Sequence, residues 1–396
     1  MKTLQRSRTR DLFTALISLL LIVSFATAQQ PASAPVATLT AEEQAVSASI
    51  KLETIKEVVQ ALSADDMQGR GTMQPGGDKA ANYIAERFEK MGLKPLGNKD
   101  SYLQPIKFRE TQYLPGTSLK IGDDSFQLGR DFYVSPALSE DKNVSGELVF
   151  VAYGLTSSQP KRNDLAGVNI AGKIVVLLQG PPKIVSKESW RTAKAQLGIM
   201  QYLVREGAAG LLFVNTGTEK HPFSEAADYL TRRQIQPADS EEWPPFLPPF
   251  ITVSNDVATK MFADSGTTFA AALENAESDS FKPYALKKSA KLTVRLKKNK
   301  GVGNNVVGLL EGSDPKLKNE ALVYSAHYDA FGLSVDNRIY HGAADNGLGV
   351  GEMMAVAEAL AQATPRPRRS IIFLALTGEE YGGYGSDYWV KNRPGK

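Results

Sequence analysis

Ile371-Ile372-Phe373-Leu374-Ala375-Leu376-Thr377-Gly378-Glu379-Glu380 decides the architecture of this chain. Six consecutive apolar residues form the pattern of a strand covered on both faces, as in the centre of an α/β sheet, rather than one with a solvated face. The run ends in a turn that delivers two adjacent carboxylates. In open α/β sheets, ligands bind beyond the carboxyl ends of the strands. Glu379 and Glu380 therefore emerge where a site is expected.

Two segments upstream lead to the same edge. Ala321-Leu-Val-Tyr-Ser-Ala-His327-Tyr-Asp329 reads as an apolar strand delivering a His and, two positions later, an Asp. On extended backbone residues i and i+2 point the same way, so Asp329 can approach the His327 ring and hold its tautomer. Gly342-Ala-Ala-Asp345-Asn-Gly-Leu-Gly is a Gly-rich loop entering a helix, whose buried stripe is Val350, Met353, Met354, Ala357 and Leu360. Asp345 lies near that helix N-terminus, where the dipole favours an ionised carboxylate.

Each residue has a plainer reading. A lone His after a strand is often packed or solvated, a lone Asp at a helix start is usually a cap, and Glu-Glu in a loop is ordinarily solvated. Their arrival together at strand and helix ends, in a chain with three histidines, points instead to a metal site. One imidazole with carboxylates suits zinc. His221 lacks such a setting, as does His341, although His341 is near enough to Asp345 to line the cleft.

The rest of the chain bounds the class. At 396 residues it is long enough for two domains, and 42% hydrophobic with 22% charged residues describes an ordinary globular protein. A balance of 46 basic against 43 acidic side chains creates no field favouring nucleic acid. Lys2, Arg6, Arg8 and Arg10 precede an apolar run from Leu12 to Phe25 and then Ala26-Thr27-Ala28, the layout of a signal peptide cleaved after Ala28. The alternative is an uncleaved anchor, for which the run is short. With cleavage no stable membrane insertion is expected, and the address is periplasmic or secreted. With no cysteines, stability rests on burial and metal rather than disulfides.

Residues 29–44 read as a flexible linker. Helices are expected from Ile50 to Leu62 and around Ala81, Ile84, Phe88 and Met91, separated by the polar loop Ser63 to Gly71. Leu148 to Ala152, Gly172 to Gly180 and Leu211 to Val214 read as strands, the last two flanking a helix with Ile199 and Leu203, so this region is an α/β unit with its own core. Trp243 to Val253 is a Pro-rich entry to another strand. Lys287 to Lys300 reads as a strand with one basic, solvated face rather than a nucleic-acid or membrane patch.

His327-Tyr-Asp329, Gly342-Ala-Ala-Asp345-Asn346 and Gly378-Glu379-Glu380-Tyr-Gly-Gly-Tyr-Gly-Ser386 resemble the three metal-site motifs of the co-catalytic di-zinc aminopeptidase family, which includes bacterial leucyl aminopeptidase, aminopeptidase Y and glutamate carboxypeptidase. Asp66-Met-Gln-Gly-Arg70 and Met91-Gly92-Leu93 are similar to that family's N-terminal region, and residues 141–284 resemble a protease-associated domain, a common insertion in it. The resemblance implies an α/β fold: a mixed, largely parallel central sheet with helices on both faces, formed by 45–140 and 285–396, plus the smaller inserted α/β domain. It implies that His327 ligates one zinc, Asp345 bridges two, Glu380 ligates the second, Glu379 is the general base and Asp329 orients His327. It also implies a cis peptide from Asp345 to Asn346, and peptide or protein substrates.

One departure tempers this. In the family each zinc takes a further ligand, an Asp or a His, from segments well downstream of the Glu-Glu motif, and nothing follows Lys396. The chain thus reads as a truncated product with little activity of its own. The rival expectations are a single-zinc acyltransferase like glutaminyl cyclase, and a non-catalytic protein that binds peptides or a partner through 141–284.

Overall fold

The computed structural model describes residues 38–134, 140–158, 161–186, 188, 190, 195–216, 222–242, 247–334 and 337–394. The signal-peptide segment, the first part of the linker, His221 and Trp243 to Phe246 lie outside them. Two units divide the chain, Met1–Ser49 and Ile50–Lys396. Within the first, Thr40 heads helix α1 (Ala41–Ala48) in a reciprocal capping box with Glu43. The linker expectation therefore fails for residues 41–44: Thr-x-x-Glu satisfies the first free amides and starts a helix despite weak periodicity. Among the described residues no helix is long and apolar enough to cross a membrane.

The second unit holds two sheets, with strands numbered along the chain. The central sheet runs β11 (Gln234–Pro237), β2 (Leu103–Tyr113), β14 (Leu296–Leu310), β18 (Ser370–Leu376), β15 (Ala321–His327), with β1 (Lys94–Pro95) beside the far end of β14. Apolar residues alternate between its two faces. Val306, Leu310, Phe373 and Ala375 meet helices α2 (Leu52–Leu62), α3 (Pro75–Lys90) and α8 (Leu348–Gln362), through Leu62, Ile84, Phe88, Met353 and Met354. Val307, Leu374 and Leu376 turn the other way, onto Trp389 of α9 (Tyr384–Asn392). Helices on both faces are thus as expected, and Ile371 to Leu376 is internal, between β14 and β15.

The sheet is mixed, but it is not largely parallel. Among the described residues only β15 with β18 is parallel in it; β14 is antiparallel to β1, β2 and β18, and β11 to β2. A parallel pair needs a crossover, and α8 supplies the one between β15 and β18. An apolar run reports that a strand is covered, not which way its neighbours run.

The second sheet follows the order β4 (Asp124–Gln127), β3 (Ser118–Ile121), β13 (Tyr284–Val294), β6 (Lys142–Phe150), β9 (Ile174–Leu178), β10 (Gly210–Val214), β12 (Phe250–Val253), β5 (Phe132–Val134). Helix α4 (Ala195–Arg205) joins β9 to β10 in parallel, the strand-helix-strand unit read from the sequence. Helices α5 (Phe223–Thr231), α6 (Asn255–Phe262) and α7 (Phe269–Ala276) also belong to this stretch, and the sheet has its own apolar core, from Tyr113 to Val294, with one buried ion pair, Arg162 with Asp164, beside it. Two small hairpins remain, β7 (Thr156–Ser158) with β8 (Lys161–Asn163) and β16 (Gly332–Leu333) with β17 (Ile339–Tyr340).

β11 leaves this region to extend the central sheet, and a buried ion pair fixes it there. Arg233 Nε donates to Glu110 of β2, whose other oxygen accepts from Asn299 Nδ2 at 2.8 Å, while Arg233 Nη2 donates to the Thr72 carbonyl at 3.1 Å. Removing one member of a buried pair strands the other's charge. Glu110→Leu is expected to lower the unfolding free energy by about 3–5 kcal/mol, and Glu110→Leu with Arg233→Met to recover most of it. Denaturant titration of both variants checks this; a single variant within about 1 kcal/mol of the parent would contradict the pair's role.

Candidate metal centre

The parallel register of β15 on β18 sets His327 opposite Leu376. Both strands therefore release their polar termini at the same edge, His327 from one and Thr377 to Glu380 from the other. Asp345 arrives from the tight turn 343–347 before α8, held in extended backbone between Gly342 at φ +55° and a cis peptide to Asn346. Asn346 Oδ1 accepts the Gly349 N–H at 3.0 Å, which caps the helix. A Cβ at Gly349 would sit 2.3 Å from that oxygen, so a side chain there would have to displace the Asn346 amide.

His327, Asp345 and Glu380 each offer one donor atom within 4.8 Å of the others. The His327 side chain is only 11% exposed; its Nε2 faces Asp345 Oδ1 at 3.1 Å and Glu379 Oε2 at 3.6 Å. Nδ1 lies 3.2 Å from the Asp329 main-chain oxygen and 3.7 Å from Oδ1 of the same residue. The closer partner on that side is thus the backbone of Asp329 rather than its carboxylate. Asp345 at 78% and Glu379 at 48% side-chain exposure face solvent, whereas Asp329 is wholly buried.

Four carboxylates surround one imidazole, and the electrostatics reflect the crowding. Burial pushes the Glu380 carboxyl up to about 7, with Asp329 and Asp345 adding repulsion. Burial works against charge on His327, but Asp329, Glu379 and Glu380 outweigh it and raise the ring to about 9. A divalent cation among these groups would relieve the repulsion that the single imidazole cannot. Donor type agrees, since one nitrogen with carboxylate oxygens suits zinc.

Asp329 is the hub beneath the cluster. Its Oδ1 accepts the Glu379 N–H at 3.3 Å and its Oδ2 the Thr72 hydroxyl at 3.1 Å. Thr72 Oγ1 also accepts the Gly378 N–H at 3.1 Å and lies 3.1 Å from Thr377 Oγ1. On the other side of β18, buried Asn305 accepts the Thr377 N–H at 3.2 Å and donates to the Gly385 carbonyl at 3.0 Å. His341 is turned away from the cluster: its Nδ1 is 2.8 Å from the Ser63 carbonyl.

Two residues in contact with this frame were given no role by the sequence, Arg70, which ends the Asp66 to Arg70 motif, and Thr72. Arg70 is fully buried, and its guanidinium donates to the carbonyls of Tyr328, Leu62, His341 and Gly342. A loop carrying Asp65, Asp66, Gln68 and Arg70 looks solvated; only its apolar Met67 and paired glycines hint that it is packed.

The model of peptidase family M28 matches residues 305–396. A vacuolar membrane protease of Candida dubliniensis is 36% identical over 89 residues, 22% of this chain and 9% of that protein. Transferrin receptor protein 1 of Gallus gallus is 23% identical over 327 residues, 78% of this chain and 39% of the receptor. The chain thus spans well under half of these curated relatives. Among solved structures, an aminopeptidase from Aneurinibacillus sp. strain AM-1 superposes with a TM-score of 0.58 at 18% identity, covering 89% of this chain and 69% of that one. A zinc aminopeptidase from Bacillus subtilis gives 0.51 at 16% identity, covering 87% and 66%. Residues 305–396 thus match peptidase family M28, and the chain as a whole has the fold found in these aminopeptidases.

Proposed function

We propose that the protein is an exported zinc-dependent exopeptidase, an aminopeptidase acting on peptides or proteins. One observation carries the reading: imidazole and carboxylate donors of His327, Asp345 and Glu380 meet within 4.8 Å at the carboxyl edge of β15 and β18. The aminopeptidase likeness of the fold supports the exopeptidase outcome, and the basic and apolar residues at the N-terminus support export. His327 Nε2 and the carboxylates of Asp345 and Glu380 would hold the metal. The reading extends to two zinc ions, which His327, Asp345 and Glu380 would hold together with further ligands.

When bound, zinc supplies Lewis acidity that polarises a peptide carbonyl and makes water a nucleophile at neutral pH. The chain supplies the proton transfers. Glu379 stands beside the cluster with its side chain half-exposed, free to take a proton from water as the oxygen attacks the carbonyl carbon. The same carboxyl then returns that proton to the amine nitrogen as the C–N bond breaks. Asp329 holds the Glu379 backbone through its N–H and keeps the base in place. Residues 141–284 are proposed to form the body of a protease-associated domain, whose sheet also draws on β3, β4 and β5 before them and on β13 as far as Val294, while β11 joins the central sheet.

A second reading, a non-catalytic binding protein, is favoured by the likeness to a receptor over 78% of the chain. Peptide binding untouched by chelator would support it.

Two measurements test the main reading. Purified chain stripped with chelator is expected to take up zinc, and His327→Ala or Glu380→Gln to lower the affinity by at least about 10-fold. Uptake indifferent to both substitutions would remove the site. For the base, cleavage of aminoacyl p-nitroanilides by Glu379→Gln is expected to fall about 10²- to 10⁴-fold in kcat at unchanged zinc content. A variant as fast as the parent sequence would overturn the assignment.

A further inference from the structure

We infer that Arg70 and Thr72 are positioning residues, and that the segment between them is a single brace holding all three metal-bearing loops in register. The inference rests on the metal reading above.

The connectivity is specific. Arg70 Nε donates to the Tyr328 carbonyl at 2.6 Å, the peptide between His327 and Asp329. Its Nη1 and Nη2 donate to the carbonyls of His341 at 2.7 Å and Gly342 at 2.8 Å, which open the turn carrying Asp345. Two residues on, the Thr72 hydroxyl donates to Asp329 and accepts the Gly378 N–H, at the entry to Glu379 and Glu380. One short piece of chain therefore touches the His327, Asp345 and Glu380 loops, which are otherwise far apart in sequence.

Chemistry fits the task. A guanidinium presents five donors in a fixed plane and can hold several carbonyls at once, which an ammonium cannot. Its charge is buried without a direct carboxylate contact; burial disfavours that charge, and Asp329 and Glu380 oppose the loss across a short gap. Thr72 uses its only proton on Asp329 and both lone pairs on neighbours, so its hydroxyl has one arrangement. The backbone agrees: Gln68, Arg70 and Met73 all lie at positive φ, near +50° to +60°, a region non-glycine residues occupy only when their surroundings over-determine it. Gly69, between them, faces the Tyr340 and Gly332 carbonyls, which a Cβ would approach to 2.6 and 2.7 Å.

Cobalt(II) titration of the full chain, followed by its visible absorption, tests the brace. Thr72→Val keeps the volume and removes the hydroxyl; it is expected to weaken cobalt binding about 10- to 100-fold and to alter the absorption bands, with Thr72→Ser restoring both. Arg70→Lys is expected to lose affinity on the same scale. Phe88→Leu, in the same core but packed on Tyr102 and Phe373, controls for lost stability and is expected to bind as the parent does. Hydrogen exchange of the Gly378 and Glu379 amides in metal-free chain reads the brace without the metal: Thr72→Val is expected to speed both, Thr72→Ser neither. If the parent binds no cobalt, the metal reading fails and this exchange alone decides the brace. Parental affinity, bands and exchange in Thr72→Val would overturn it, as would equal losses in Phe88→Leu.

Discussion

Parallel pairing of β15 with β18 is the constraint on which the site depends. In parallel strands both carboxyl ends lie at one edge, so a single register, His327 opposite Leu376, delivers an imidazole and a pair of glutamates to the same place. Helix α8 is the crossover that permits the pairing, and the turn before it brings Asp345 to the same edge. A register shift of one residue would turn His327 to the other face of the sheet. The apolar alternation that seats Phe373 and Ala375 on α3 and α8, and Leu374 and Leu376 on α9, resists that shift, so core packing and ligand placement are one requirement.

The polar groups must then be held together against their own repulsion. Asp329, Asp345, Glu379 and Glu380 surround a single ring, and the raised Glu380 carboxyl records the cost. Among the described residues no lysine or arginine forms an ion pair with them; the charged partner is the His327 ring itself. Amides, hydroxyls and one buried guanidinium hold the loops instead. That distinguishes the cluster from the exposed ion pairs elsewhere on the chain, such as Arg368 with Asp314 and Arg369 with Glu320.

Most of the site was legible because local pattern carries it. An apolar run ending in Glu-Glu, a strand ending in His-x-Asp and a Gly-rich entry to a helix each announce a side chain at an element's end. Strand direction was not legible, since coverage of a strand is the same whether its neighbours are parallel or antiparallel, and the long antiparallel β2–β14 pair changed the character of the sheet. Nor were the contacts of Arg70 and Thr72: Thr72 meets Asp329 257 residues away, and nothing within the loop signals a hydroxyl that binds so far along the chain. The turn from His341 toward Ser63 has the same origin, a long-range carbonyl that spacing alone does not reveal.

The rim of the site is built by residues from beyond the central sheet. Arg232, just after α5, lies over both the Phe331 and Tyr340 rings, 4.2 Å from each centroid, and pairs with Asp228, which also accepts from Arg338. Tyr229 packs edge-on against Phe331, which also meets Tyr340 and Tyr381, the residue after Glu380. A cation over two aromatic rings is attracted to both. The stretch from α5 to β11 is therefore anchored at both ends, by this stack at the rim and by Arg233 with Glu110 in the central sheet. Helix α5 thus cannot shift as an independent appendage without disturbing Phe331 and Tyr381, which places the wall beside Glu380 under the control of a segment that contributes no ligand to it.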